Sequence, residues 1–226
     1  MAPETTAVKA TGLTRVYIGR ADRLMALNDV SLGVDRGELV AVVGPSGSGK
    51  STLLYLLAGL DVPDEGTVEL AGVGWQTLHG PARARFRRRT CGFIAQGLTL
   101  LPQATAAENV EAPLLLDGVK VAERHRRVTA ALERVGLGEH AARLTDQLSS
   151  GEQQRVAVAR ALVLGPAVVL ADEPTGRLDS ANAQGVARLL VAAAREHGAA
   201  VVLVTHDPEV ARHANRVVTL RSGRLT

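Results

Sequence analysis

Three short apolar runs in the chain stop abruptly at glycine or polar residues: Leu39 to Val43 before Gly44, Val168 to Ala171 before Asp172, and Val201 to Val204 before Thr205. Apolar at every successive position, they suit strands buried on both faces, as in a parallel sheet. Ligands of open α/β sheets bind beyond the carboxyl ends of the strands, so the three polar ends are expected to converge on one site. Upstream, from Val8 to about Leu70, alternating apolar segments are separated by the turn signals Asp35-Arg36-Gly37 and Pro63-Asp64-Glu65-Gly66, the pattern of strands and hairpins. Between about Gly97 and Leu164 the period turns helical, with Val128, Leu132 and Val135 at spacings of three and four within Glu123 to Val135, which predicts an inserted helical lobe. From Ala167 onward, strand candidates alternate with an Ala-rich helical stretch, Ala181 to Glu196, closed by Gly198. The expected fold is α/β: a parallel-sheet core, an antiparallel β subdomain and an inserted α-helical subdomain over 97–164, within one domain spanning 8–226.

Chemistry enters at the first polar end. Gly44-Pro45-Ser46-Gly47-Ser48-Gly49-Lys50-Ser51-Thr52 matches G-x-x-x-x-G-K-[ST] in full, after a five-residue apolar strand and before an amphipathic helix predicted over Thr52 to Leu60. Glycines let backbone N–H groups curl around phosphate oxygens, and a helix beginning near Lys50 turns its positive end toward them. Lys50 supplies a charge near the β and γ phosphates, and the Ser51 hydroxyl is placed for Mg²⁺. Loop and sheet together resemble the core of a P-loop NTPase of the RecA-like kind. Asp172 and Glu173 follow the second run, where one carboxylate can serve the metal and its neighbour can act as general base on water.

Composition narrows the partners. Aromatics are 2% of the 226 residues, too few rings for an extended nucleic-acid strand to stack on. The net charge of +3 comes with an arginine bias rather than with a lysine-rich patch, and no nucleic acid is expected as partner. The single Cys91 excludes an internal disulfide and a cysteine-built metal site within one chain and reads as a small buried side chain. Met1 to Thr14 lacks a secretory pattern, and no apolar run approaches the roughly 20 residues that span a bilayer. The expectation is a soluble cytoplasmic protein, peripheral on the inner face of the membrane only through a partner.

The phosphate loop, Leu148-Ser149-Ser150-Gly151-Glu152-Gln153-Gln154-Arg155, and Leu170-Ala171-Asp172-Glu173-Pro174-Thr175-Gly176 together resemble the ATP-binding cassette ATPases, over about Val8 to Leu225. Gln96 resembles the Q-loop glutamine, Leu178-Asp179 the D-loop, His206 the switch histidine, and Tyr17 the aromatic that stacks on adenine. The resemblance implies ATP and Mg²⁺ as cofactors, with Gln96 joining Ser51 and Asp172 at the metal. It also implies a head-to-tail homodimer. Each ATP would meet Tyr17, the loop from Gly44 to Thr52, Gln96, Asp172, Glu173 and His206 of one copy. Ser149, Gly151, Glu152 and Asp179 belong to the signature and D-loop segments, and Ser149 and Gly151 would reach the γ-phosphate from the other copy, at the start of a helix running Glu152 to Leu164. Glu173 would deprotonate water and His206 would hold the γ-phosphate. Ser150 departs from the usual glycine, Arg177 stands where a smaller or amide residue is common, and Ala95 where an aromatic is common.

The segment Ala171 to Gly176 is similar to that of macrolide-export and lipoprotein-release ATPases, which serve integral-membrane permeases. Leu98 to Pro113 is where such families dock the permease, making Leu100, Leu101, Glu108 and Val110 candidate contacts. The arginines at 83, 85, 87, 88 and 89 read as a solvated face. The competing function is a soluble cassette ATPase acting on DNA or ribosomes, whose known forms carry long insertions or a second cassette that this chain lacks.

Overall fold

A computed structural model describes residues 5–19, 23–97, 99–176 and 178–226. In chain order it runs β1 (Thr6–Ile18), β2 (Arg23–Asp35), β3 (Leu39–Val43), α1 (Lys50–Leu57), β4 (Glu65–Leu70), β5 (Val73–Gly74), α2 (Gly80–Thr90), β6 (Cys91–Ile94) and α3 (Ala106–Leu116). It continues with α4 (Val121–Arg134), α5 (Ser150–Leu162), β7 (Val168–Asp172), α6 (Ser180–Arg195), β8 (Ala200–Val204), α7 (Pro208–Ala211), β9 (Arg216–Arg221) and β10 (Arg224–Leu225). One sheet is antiparallel, in the order β2-β1-β4-β5. The other has the order β10-β9-β3-β8-β7-β6 and is parallel except where β10 pairs antiparallel with β9.

The apolar runs behave as strands covered on both sides. In β7, Val168 and Leu170 join the cluster that holds α1 between the two sheets, while Val169 and Ala171 face α6 on the opposite side. The same alternation divides Val202 and Val204 from Val201 and Leu203 in β8. The helices α3, α4 and α5 form a third cluster around Val110, Leu114, Leu132 and Val156. Its two ends are tied by the bridge between Thr105 and Leu144, and α5 also reaches the α6 layer through Val158.

Several expected boundaries move. The helix after the phosphate loop spans Lys50–Leu57, not Thr52 to Leu60: Gly59 turns left-handed (φ 62) with no room for a Cβ beside the Trp75 ring, and Leu60 swings to the surface. The signature helix starts at Ser150 and ends at Leu162, because Gly165, also left-handed, breaks it. Glu65 and Gly66 belong to β4 rather than to a turn, and Gly66 approaches the carbonyls of Thr11 and Gly12 too closely for any side chain. The arginine segment is helix α2 and only partly solvated: Arg88 and Arg89 both pair with Asp117, Arg87 donates to the Gly59 carbonyl, and Arg83 lies over the Trp75 ring. Cys91 is buried, and burial pushes its thiol up to about 12. Arg177 and Leu98 lie outside the described residues.

Strand β6 carries Gln96 to its place and leaves no tolerance on its α5 side. A Cβ at Gly92 would stand 2.5 Å from the Ala161 carbonyl oxygen and 3.1 Å from Pro166 Cγ. Gly92→Ala is expected to cost about 1–3 kcal/mol by overpacking, read as a lower urea midpoint at unchanged slope.

Candidate functional site

The carboxyl ends of β3, β7 and β8 open into a cavity of about 510 Å³. Tyr17, Leu24, Ala26, Gly44, Ser46, Gly47, Gly49, Lys50, Ser51, Thr52, Gln96, Asp172, Glu173 and His206 line it. A groove of about 590 Å³ between α4 and the ends of α5 and α6 is larger, but its walls are mainly Ala, Leu and Val with three arginines, and it shares none of these groups.

The phosphate loop is shaped by close backbone approach. Gly44 (φ 153) would place a Cβ 2.1 Å from the Leu220 carbonyl oxygen, and Gly49 (φ 102) one 2.2 Å from that of Ala26. The loop is therefore wedged between the parallel and antiparallel sheets, and only glycine fits at either contact. Gly49 caps α1 without a side-chain partner, so the first-turn N–H groups stay open toward the cavity. Lys50 Nζ donates to the Gly44 and Pro45 carbonyls, both at 2.9 Å. Two residues of the motif leave the cavity wall: Pro45 offers its carbonyl to Lys50, and Ser48 is buried with its hydroxyl directed back toward Gly44.

Asp172 ends β7 with both carboxylate oxygens buried and without a hydrogen-bond partner. Burial pushes its carboxyl above the usual carboxylate range; the charge of Glu173 adds to this, while the nearby Ser51 hydroxyl and Lys50 ammonium pull against it. The Ser51 hydroxyl lies close enough to act on Asp172 but not in hydrogen-bond geometry. Glu173 follows with φ 47, a strained value for a residue with a side chain, and is held there by its N–H donating to the Val204 carbonyl at 2.9 Å. That turn sends its carboxylate away from Asp172 and onto His206, whose Nδ1 lies 2.8 Å from Glu173 Oε2. The Glu173 side chain is 11% exposed and that of His206 69%, so the pair bridges the interior and the mouth.

Tyr17 lies on β1, opposite Leu24 of β2, and its hydroxyl donates to Asp61 Oδ2 at 2.9 Å. The Arg15 guanidinium sits 4.8 Å from the ring centroid and pairs with Asp61 and Asp64. Leu24 and Ala26 were not anticipated as cavity residues; the β1–β2 register that sets them beside Tyr17 has no signature in the sequence.

The remaining predicted residues gather elsewhere. Ser149 caps α5 in a reciprocal box, its Oγ accepting from Glu152 N–H at 3.3 Å while Glu152 Oε2 accepts from Ser149 N–H at 2.8 Å. The bond from the Ser149 N–H holds the Glu152 carboxyl below its usual range, with the Ser149 hydroxyl adding to it. His140 Nδ1 stands 2.9 Å from the other Glu152 oxygen but out of hydrogen-bond alignment. Asp179 caps α6 through Asn182 N–H at 2.9 Å. Ser149, Ser150 and Asp179 are exposed, Gly151 is buried, and neither they nor Glu152 lines the cavity. Of the expected partner contacts, Leu101 is exposed, whereas Val110 is fully buried among α3, α4 and α5 and Glu108 is bound into the Thr105 cap. Val110 is therefore corrected to a core residue, since a helix so packed turns one face inward.

The sequence profile of the ABC transporter family matches residues 27–176. The lipoprotein-releasing system ATP-binding protein LolD of Bordetella pertussis is 47% identical over 97% of this chain and 95% of its own. The macrolide export ATP-binding/permease protein MacB of Bradyrhizobium diazoefficiens is 47% identical over 93% of this chain, which corresponds to 32% of that longer protein. Among solved structures, the dimeric bacterial ABC transporter cassette MJ0796 superposes with a TM-score of 0.90 at 39% identity, covering 96% of both chains. The same cassette has been solved as a dimer in a post-hydrolysis state bound to ADP and Pi.

The buried, unpartnered Asp172 has a consequence for stability. Its pKa is raised on folding, so the folded state holds the proton more tightly, and stability falls as pH rises from the ordinary Asp value through the raised one. Asp172→Asn is expected to raise the urea midpoint of the nucleotide-free protein at pH 7. The gain should vanish below the ordinary Asp range, where both states are neutral at this position.

Proposed function

Because this chain belongs to the ABC transporter family and is one of its ATPases, serving a membrane permease, we propose that two copies bind two ATP molecules head to tail, each nucleotide shared between the cavity of one copy and the exposed ends of α5 and α6 of the other. One observation carries this reading. The cavity holds the groups that grip and attack a triphosphate, while the exposed Ser149 and Asp179, with the buried Gly151 beside them, stand outside it. A second copy supplies the missing half, and the related MJ0796 cassette is a dimer.

Within the cavity, Tyr17 stacks on the adenine with Leu24 and Ala26 beside it. The open N–H groups of α1 and the Lys50 ammonium take the β and γ phosphates. Lys50 exchanges its two loop carbonyls for phosphate oxygens. A divalent cation fits the residues present, because Asp172 offers two buried oxygens with no other partner beside the Ser51 hydroxyl. Mg²⁺ would be held there by Ser51, Asp172 and Gln96 together with phosphate oxygens, and would supply neutralisation of developing phosphate charge. Glu173 orients the attacking water and accepts its proton at the carboxylate. His206, 2.8 Å from that carboxylate, is positioned to donate to the γ-phosphate and to keep Glu173 aimed. Ser149 Oγ and the N-terminus of α5 reach the same γ-phosphate from the opposite copy.

The nucleotide-binding domain spans 8–226 in this reading, with 97–164 as its helical subdomain. Among the described residues no helix is long and apolar enough to cross a membrane. In this reading the chain works from the inner membrane face through its permease. Exposed Leu101 offers one contact there. LolD and MacB are transport proteins by name, which favours this role over an ATPase acting on DNA or ribosomes.

Glu173→Gln keeps shape and hydrogen bonding but removes the base, and hydrolysis is expected to fall about two to four orders of magnitude while ATP stays bound. The variant should run as an ATP-dependent dimer in size exclusion with light scattering, and adding Ser149→Arg should return it to monomer. A Glu173→Gln protein that remains monomeric at saturating Mg-ATP overturns the two-copy site. Tyr17→Ala should weaken nucleotide affinity by about 1–3 kcal/mol in isothermal titration and leave kcat at saturating ATP nearly unchanged.

A further inference from the structure

The ends of α5 and α6 that stand outside the cavity meet at one side chain. Asn182 Nδ2 donates to Asp179 Oδ2 at 2.7 Å, and Asn182 Oδ1 accepts from Arg155 Nη1 at 2.7 Å. The amide has a single workable orientation, since a carboxylate only accepts and a guanidinium only donates. Gly151, in the first turn of α5, closes the third side: a Cβ there would stand 2.9 Å from Asn182 Cγ and 3.0 Å from its Oδ1. Asn182 is thus bonded to the Asp179 loop, bonded to α5 through Arg155, and packed against the backbone of the signature turn.

We propose that Asn182 is a positioning residue that fixes Ser149 to Gly151 and the Asp179 loop as one rigid surface, presented together to the nucleotide held by a second copy. The inference rests on the two-copy reading above and adds to it. Two loops far apart in sequence must reach one γ-phosphate region at the same moment, and a fixed distance between them removes the freedom that dimerisation otherwise has to quench. Gly151 serves here as the space that Asn182 needs. Neither Asn182 nor Arg155 lines the chain's own cavity, so ATP binding to a single copy does not pass through them.

The experiment places Asn182→Ala and, separately, Arg155→Met in a Glu173→Gln background. It measures the ATP-dependent dimer by light scattering and ATP affinity by titration of dilute monomer. Each variant is expected to weaken the dimer about tenfold, because the freed side chains must then be ordered on association, with monomer ATP affinity unchanged. Gly151→Ala should weaken the dimer, and the double variant with Asn182→Ala should lose less than the sum of the two because the clash with Asn182 is relieved, a coupling that a general loss of stability would not produce. The two variants break the same link from opposite helices, so a folding defect in one leaves the other to decide. Parental dimer affinity in the folded variants, or loss of ATP binding by the monomer, overturns the inference. If Glu173→Gln itself stays monomeric, the two-copy reading fails first and this inference falls with it.

Discussion

The turn from β3 into α1 must bring bare backbone to the mouth of the sheet, and the two sheets are fitted around the space it takes. Gly44 presses on the Leu220 carbonyl of β9 and Gly49 on the Ala26 carbonyl of β2. The turn before β10 adds a tether, with Gly223 N–H donating to the Ser48 carbonyl and Asn28 N–H to that of Gly223. A side chain at either glycine would push the sheets apart, and with them Tyr17 on one side and Asp172 on the other. Tyr17 and Asp172 therefore keep their spacing through a contact that involves neither side chain.

Local rules are broken at the cavity, as they also are at a few positions away from it such as Ala71 and Gln103. Asp172 is buried without a partner, Glu173 holds a left-handed backbone, and the first turn of α1 has no cap. The starts of α3, α5 and α6 are closed by Thr105, Ser149 and Asp179, whereas α2 and α4, like α1, have no side-chain cap. The uncapped helix α1 and the unpartnered carboxylate face the same cavity with opposite needs, one for anions and one for a cation, both of which a metal-bound triphosphate would meet.

Much of this was legible because buried parallel strands leave an unmistakable apolar run. β3, β7 and β8 were placed within a residue or so of their ends, and the convergence of Gly44, Asp172 and Thr205 followed from the geometry of parallel sheets. What was not legible depended on pairing rather than pattern. Helix α2 has no apolar stripe; two of its arginines, Arg88 and Arg89, are held by Asp117, a partner distant in sequence. Strand β9 begins and ends on arginine and is defined by its parallel pairing with β3. Leu24 entered the cavity through a hairpin register, and Asn182 gained its place through the packing of α6 beside α5, neither of which has a short-range signal.

Helix α5 belongs to two bodies at once. Val156, Ala159 and Val163 pack with α3 and α4, while Val158 packs in the layer of α6. At about 1.5 Å of rise per residue, its 13 residues make a lever of roughly 20 Å, buried along its length and exposed at its Ser149 end. A tilt of about three degrees about the far end carries Ser149 through about 1 Å, the margin by which a hydrogen bond is made or lost. Because Val158 and the Arg155–Asn182 bond tie α5 to α6, such a tilt must carry the Asp179 end along, and the two exposed ends move as one.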